Sequence, residues 1–92
     1  MRDGSICLDV EAQGSLVRVE LGGALSLASA YPIITRIRSS QRQDSQRLVI
    51  DLRGVENISP GGFEAIERVR AAMVGVFESV LILVAQGLPH NS

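Results

Sequence analysis

The stretch that most restricts the fold runs over residues 48–63. Leu48-Val49-Ile50 is nearly continuous apolar sequence and ends in Asp51-Leu52, the pattern of a central strand covered on both faces. A short polar loop separates it from Ser59-Pro60-Gly61-Gly62. Ser is a favoured helix cap and Pro a favoured first helical residue, so a helix is predicted to start at Pro60. A further apolar run, Val80-Leu81-Ile82-Leu83-Val84, predicts another buried strand. Strand, helix and strand in that order demand a crossover connection, which is right-handed.

The rest of the chain extends the same layer. Residues 6–13 alternate apolar Ile6, Leu8, Val10 and Ala12 with Cys7, Asp9, Glu11 and Gln13, the period of a half-exposed strand. Gly14-Ser15 suits a tight turn, and residues 16–21 alternate again, so a hairpin is predicted, its second strand ending at Gly22-Gly23. Apolar residues then recur at Leu27, Tyr31, Ile34 and Ile37, which fits one face of a helix with Ser29 as cap and Pro32 in its first turn. That helix fades into a polar, solvated connector over residues 39–46. The helix from Pro60 is predicted to bury Phe63, Ile66, Val69 and Met73, a gross gain of roughly 6 to 12 kcal/mol before conformational entropy. Glu64, Glu67, Arg68 and Arg70 form its outer face, and Gly75 lies at its end. The expected architecture is α/β, a mixed β-sheet with helices packed against it in the order ββαβαβ, as one domain over residues 1–92.

Composition narrows the functions. At 46% hydrophobic and 21% charged, the chain is globular rather than disordered. A net charge of -1 disfavours nucleic acid as a partner. The apolar runs fall far short of the ~20 residues a membrane span needs, so no membrane insertion is expected. Met1-Arg2-Asp3-Gly4 lacks a signal-peptide pattern, which makes a cytoplasmic location the expectation. One cysteine, Cys7, reads as a small strand residue, and one histidine, His90, as a solvated tail residue; together they are too few for a Cys/His metal site. No cofactor, nucleophile with its base, or acid/base pair stands out, so an enzyme is not expected.

Gly23-Ala24-Leu25-Ser26-Leu27-Ala28-Ser29-Ala30, taken with residues 48–63, resembles the STAS domain, shared by anti-sigma factor antagonists and the cytoplasmic tails of sulfate transporters. The resemblance covers roughly residues 15–85 and includes the element order. Family members typically read G-x-L-D before a helix, then a strand ending D-L, then an I-D-S-S/T-G-L-like turn whose residue after the second Asp is phosphorylated. Here the turn reads Ile58-Ser59-Pro60-Gly61-Gly62-Phe63. The resemblance therefore implies a degenerate phosphorylation position at Pro60, which has no hydroxyl. Ser59 and Ser26 stand where the two motif acids would be. Ser59 is expected to be occupied in capping the helix, which disfavours it as a substitute acceptor. Asp51 keeps its matched place at the strand end, and is expected to satisfy nearby loop N–H groups rather than to shape a pocket.

The leading expectation is a non-enzymatic protein-interaction module resembling an anti-sigma factor antagonist without phospho-regulation. The resemblance places partner binding on the loop before Pro60 and the exposed face of the helix, at Glu56, Asn57, Ser59, Pro60, Gly61, Gly62, Glu64, Glu67 and Arg68; each charge alone also fits an ordinary solvated face. The partner implied is an anti-sigma factor kinase. Two alternatives stay open: an accessory subunit of a lipid-transport ABC complex, partnered by its ATPase, and a small-ligand or nucleotide-binding STAS domain using the Gly61-Gly62 helix mouth. The Lys-Ser/Thr ending of a P-loop is absent. Family members usually continue beyond the position of Ala85 with further helices and a strand, so a homo-oligomer is expected, with exchange of the last strand through residues 75–79 as one route.

Overall fold

The computed structural model describes residues 6–85. Strand β1 (Ile6–Gln13) turns at Gly14-Ser15 into β2 (Leu16–Leu25), which leads through a 3-10 turn (Leu27–Ser29) into helix α1 (Ala30–Ser40). Strand β3 (Arg47–Ile58), helix α2 (Pro60–Met73) and strand β4 (Ser79–Leu83) complete the order. It is the predicted mixed α/β layer in the predicted order. The sheet runs β1-β2-β3-β4, with β1 antiparallel to β2 and the other neighbours parallel. Gly14 takes a left-handed φ of 58° at the hairpin turn, a conformation glycine adopts without steric cost.

Both crossovers step the same way across the sheet, so right-handed connections place α1 and α2 on one face. Val17, Val19 and Leu21 of β2 and Leu48, Ile50 and Leu52 of β3 point there and are buried with Ile33 and Ile37 of α1 and Ala65, Val69 and Met73 of α2. The expectation that the strand at residues 48–52 is covered on both faces is therefore corrected. Its other face meets no helix among the described residues and is screened by ion pairs around Asp51.

Five further expectations are corrected by packing. The second strand does not end at Gly22-Gly23 but continues to Leu25, because Gly22 and Gly23 keep pairing with Gly54 and Val55 across shifts in register. By the same pairing β3 extends through the stretch read as a loop, to Ile58. Helix α1 buries Ala30, Ile33 and Ile37 instead of the stripe through Leu27 and Tyr31. The intervening 3-10 turn has three residues per turn, which breaks the phase carried forward from Leu27. Helix α2 buries Gly62, Ala65, Ile66, Val69 and Met73, and Phe63 lies outside. Finally, β4 is half-exposed rather than buried, since it pairs only with β3 among the described residues. The tail with His90, and Met1-Arg2-Asp3-Gly4, lie outside the described residues.

Candidate functional site

The two segments that carry the sequence motifs meet at one end of the sheet. Leu25 of β2 pairs with Ile58 of β3, so Ser26 and Ser59 leave adjacent strand ends side by side. Ser59 donates its backbone N–H to the Leu25 carbonyl at 3.1 Å and its hydroxyl to the same oxygen at 3.3 Å. Its Oγ in turn accepts the Gly62 N–H at 3.1 Å. The Ser59 carbonyl accepts from Gly62 and Phe63 at 2.8 and 3.3 Å. On the neighbouring segment, Ser26 donates its N–H to Ser29 Oγ at 3.0 Å. Pro60 opens α2, exposed, and contributes no N–H.

A helix mouth attracts anions through unpartnered N–H groups. Here Pro60 has none to offer and those of Gly62 and Phe63 are taken within the turn, which leaves that of Gly61 without an acceptor among the described residues. The glycine pair serves packing. A Cβ on Gly62 would stand 2.5 Å from the Leu25 carbonyl oxygen and 3.0 Å from Ile58 Cγ2. On Gly61 it would stand 3.1 Å from both Leu27 N and Cβ. The two glycines let the first turn of α2 lie directly against the end of β2 and the 3-10 turn.

The surface around this neutral mouth is apolar. Leu27 is 44% exposed, Phe63 57% and Tyr31 of α1 78%. Of the residues named from sequence, Glu56 and Asn57 are exposed on the last part of β3, and Ser59 and Pro60 are exposed at the mouth. Gly62 is buried beneath it. Glu64, Glu67 and Arg68 are exposed along α2 and engaged with one another's neighbours: Arg68 donates to Glu64 at 2.9 Å and Arg70 to Glu67 at 2.9 Å. Sequence reasoning did not single out Leu27, Tyr31 and Phe63 as surface. The available signal was the glycine pair, because a helix that packs through Gly62 turns Phe63, some 100° further round, toward solvent.

Asp51 occupies a separate place. It lies mid-strand in β3, not at a strand end, on the sheet face opposite the helices. Its carboxylate accepts the Arg53 side chain at 3.0 and 2.9 Å, the Arg53 N–H at 3.0 Å and Arg18 at 2.9 Å. Arg18 also binds Glu20 at 2.9 Å. The side-chain hydrogen bonds from Arg53, then its backbone N–H, hold the Asp51 carboxyl down at about 2, against the opposing effect of desolvation. The same pairing raises the affinity of Arg53 for its proton. The carboxylate thus takes one local N–H, as expected, but its main partners are two guanidinium groups.

No helix among the described residues is long and apolar enough to cross a membrane. Comparison with curated protein sequences found no match. Among solved structures, the chain is similar to an anti-sigma factor antagonist from Mycobacterium paratuberculosis, with a TM-score of 0.68, 21% identity, and 90% of this chain and 70% of that one covered. It is also similar to an antisigma-factor antagonist STAS domain from Rhodobacter sphaeroides, with a TM-score of 0.63, 17% identity and 85% of each chain covered. A third likeness is to Mglu, with a TM-score of 0.64 and 23% identity, where 88% of this chain matches 20% of that much longer one. At such identities these likenesses speak for the fold. The family model for the STAS domain matches residues 8–83, a span that takes in both motif segments meeting at the mouth of α2, and the chain belongs to the STAS domain family.

Proposed function

We propose that this chain is a non-enzymatic docking module that binds a protein partner constitutively through the mouth of α2. The observation that carries the reading is the combination found there: a first turn whose Gly62 and Phe63 N–H groups are taken up by Ser59 and whose Pro60 has none, ringed by the exposed apolar side chains of Leu27 and Phe63. Such a surface offers little to an anion and suits an apolar docking face, since aromatic and aliphatic anchors contribute most of the energy of protein interfaces. Glu56, Asn57, Pro60, Glu64, Glu67 and Arg68 form its polar rim. With proline at the acceptor position, no phosphate is placed at the centre of the contact.

Two of the similar structures are described as anti-sigma factor antagonists, which supports a kinase-type anti-sigma factor as partner and a role in transcription regulation within the cytoplasm. The ATPase of a transport complex is the other candidate for the same surface. The nucleotide-binding reading is disfavoured by the packing of Gly61 and Gly62 against Leu27 and Leu25.

The test is affinity capture from the source cell with the wild-type chain and with Phe63→Asp, a change at an exposed residue, once the variant is verified as folded by circular dichroism. The expected partner is the protein lost only with the variant. Between the two purified proteins, the loss should be roughly 30-fold or more, the size expected for an anchor residue. In the presence of ATP and the partner this chain should keep its unmodified mass, since Pro60 offers no hydroxyl to a kinase. Equal capture by both forms, or a saturable thermal shift with nucleotide, would reject the proposal.

A further inference from the structure

The arginines of this chain fall into two groups. Among the described residues, Arg18 and Arg53 bind Asp51, Arg68 binds Glu64 and Arg70 binds Glu67. Arg36, Arg38, Arg42 and Arg47 are exposed and take part in no ion pair among those residues. All four lie in one stretch, from the second half of α1 through the connector to the first residue of β3. With Asp44 as its only acid, the stretch carries three net positive charges in a chain whose total is -1, so the rest of the chain is negative by four. The negative end of the α1 dipole accounts for Arg38, in the last turn. It gives no reason for Arg42 and Arg47, which lie beyond the helix, to stand without acids.

The stretch is held in place by its backbone. The Gln41 N–H closes the end of α1 on the Ile37 carbonyl at 2.9 Å. Arg42 and Ser45 then bind each other twice, the Arg42 N–H to Ser45 Oγ at 2.9 Å and the Ser45 N–H to the Arg42 carbonyl at 3.0 Å. Gln46 and Arg47 donate their N–H groups to the Ser15 carbonyl at 2.8 and 3.0 Å, which fastens the connector to the hairpin turn. On the outer side of α1, a shallow hollow is lined by Arg38 together with Tyr31, Ile34, Thr35 and Ser39. Tyr31 is 78% exposed and Ile34 half-buried. Unpaired guanidinium groups and an apolar hollow therefore share one surface.

We infer that the outer side of α1 and the connector after it form a docking surface for an acidic segment of a partner protein, with carboxylates on Arg38 and Arg42 and a large apolar side chain in the hollow against Tyr31 and Ile34. Charge complementarity selects this occupant. A guanidinium fork binds a carboxylate through two parallel hydrogen bonds, and the hollow adds an apolar contact that a bare anion does not use. Nucleic acid and an anionic lipid surface are disfavoured. Both are extended polyanions, and Asp9, Glu11 and Glu78, exposed and outside the ion pairs, would repel them. A short acidic segment meets the patch alone. The surface adjoins the mouth of α2 only at Tyr31, and the inference does not depend on what binds at that mouth.

Amide NMR of the isotope-labelled 92-residue chain, titrated with the peptide Glu-Glu-Phe-Glu-Glu-Leu-Glu-Glu-Phe, tests the inference. Saturable binding with a Kd of about 100 µM is expected, with shifts concentrated in residues 31–47 and weakening as salt is raised. Arg38→Glu combined with Arg42→Glu, verified as folded by circular dichroism, should weaken binding by roughly 10-fold or more. The milder pair Arg38→Gln and Arg42→Gln, which keeps the test open if the first misfolds, should weaken it by roughly 3-fold. A peptide of Glu alone should bind less tightly, because it leaves the hollow empty. No saturation by about 1 mM peptide, or equal affinity in wild type and both double variants, overturns the inference. Tighter binding of single-stranded DNA or of phosphatidylserine vesicles than of the peptide also overturns it, in favour of a polyanion surface. Phe63→Asp should leave the affinity unchanged; a loss there would place the peptide at the mouth of α2 instead and overturn this assignment while sparing that of the mouth.

Discussion

Gly62→Ala should be among the most damaging single-methyl additions to this protein. The new Cβ would stand 2.5 Å from the Leu25 carbonyl oxygen, 2.9 Å from its carbon and 3.0 Å from Ile58 Cγ2. Two of those contacts are with backbone, so relief requires α2 to move off β2 by several tenths of an ångström or more. Overpacking of this kind costs about 1–3 kcal/mol. The displaced oxygen also accepts both the N–H and the hydroxyl of Ser59, and weakening those bonds adds about 1 kcal/mol each. The better helix propensity of alanine returns about 1 kcal/mol. The net loss is about 2–4 kcal/mol, which in a domain of this size lowers Tm by roughly 10–25 °C. Urea and thermal unfolding followed by far-UV circular dichroism would measure it. Gly61→Ala should cost far less, because its Cβ meets Leu27, a partly exposed residue on a short turn, at 3.1 Å. Gly62→Ala within about 0.5 kcal/mol of wild type would refute the packing account of the glycine pair.

Asp51→Asn should remove a pH-dependent share of stability. The folded carboxyl sits at about 2, below its ordinary 3.8, so its contribution is complete above the ordinary value and is lost as pH falls toward 2. The shift corresponds to about 2 kcal/mol, reduced toward 1 because Arg18 and Arg53 remain in contact with solvent. Denaturant midpoints between pH 6 and pH 2 should fall less steeply in the variant, and parallel curves would refute the assignment. Ser59→Ala removes the acceptor for Gly62 N–H and the hydroxyl donated to Leu25; the expected loss is about 1–2 kcal/mol. It should appear as a lower Tm with unchanged helix content.

The hairpin, the start of α2 and the order of elements were legible because each rests on local chemistry: Gly14 at a left-handed turn, Ser59 and Pro60 at a helix start, alternation along β1. The ends of β2 and β3 were not. Gly22 and Gly54 look like strand breakers singly, yet they face each other in the sheet, where the lack of side chains is mutual. The expected faces held for Ile37 of α1 and for Ile66, Val69 and Met73 of α2, but were misplaced at the start of both helices for a related reason. Large apolar residues such as Tyr31 and Phe63 dominate a periodicity reading, whereas close approach of a helix to a sheet selects small ones, here Ala30, Gly62 and Ala65. For the candidate site, the motif positions could be found from sequence. The apolar ring around them depended on the rotation of two helices about their axes, which only packing decides.

The Leu25 carbonyl has one further consequence. By receiving two hydrogen bonds from Ser59, it ties the first turn of α2 to the end of a different strand from the one that precedes it. Leu27 and Phe63, which come from segments more than thirty positions apart, are thereby carried on one stiff frame. A visiting protein meets a face already shaped for it, and little disorder has to be surrendered on contact. Variation in grip among versions of this surface should consequently be felt in how long a complex lasts more than in how quickly it forms.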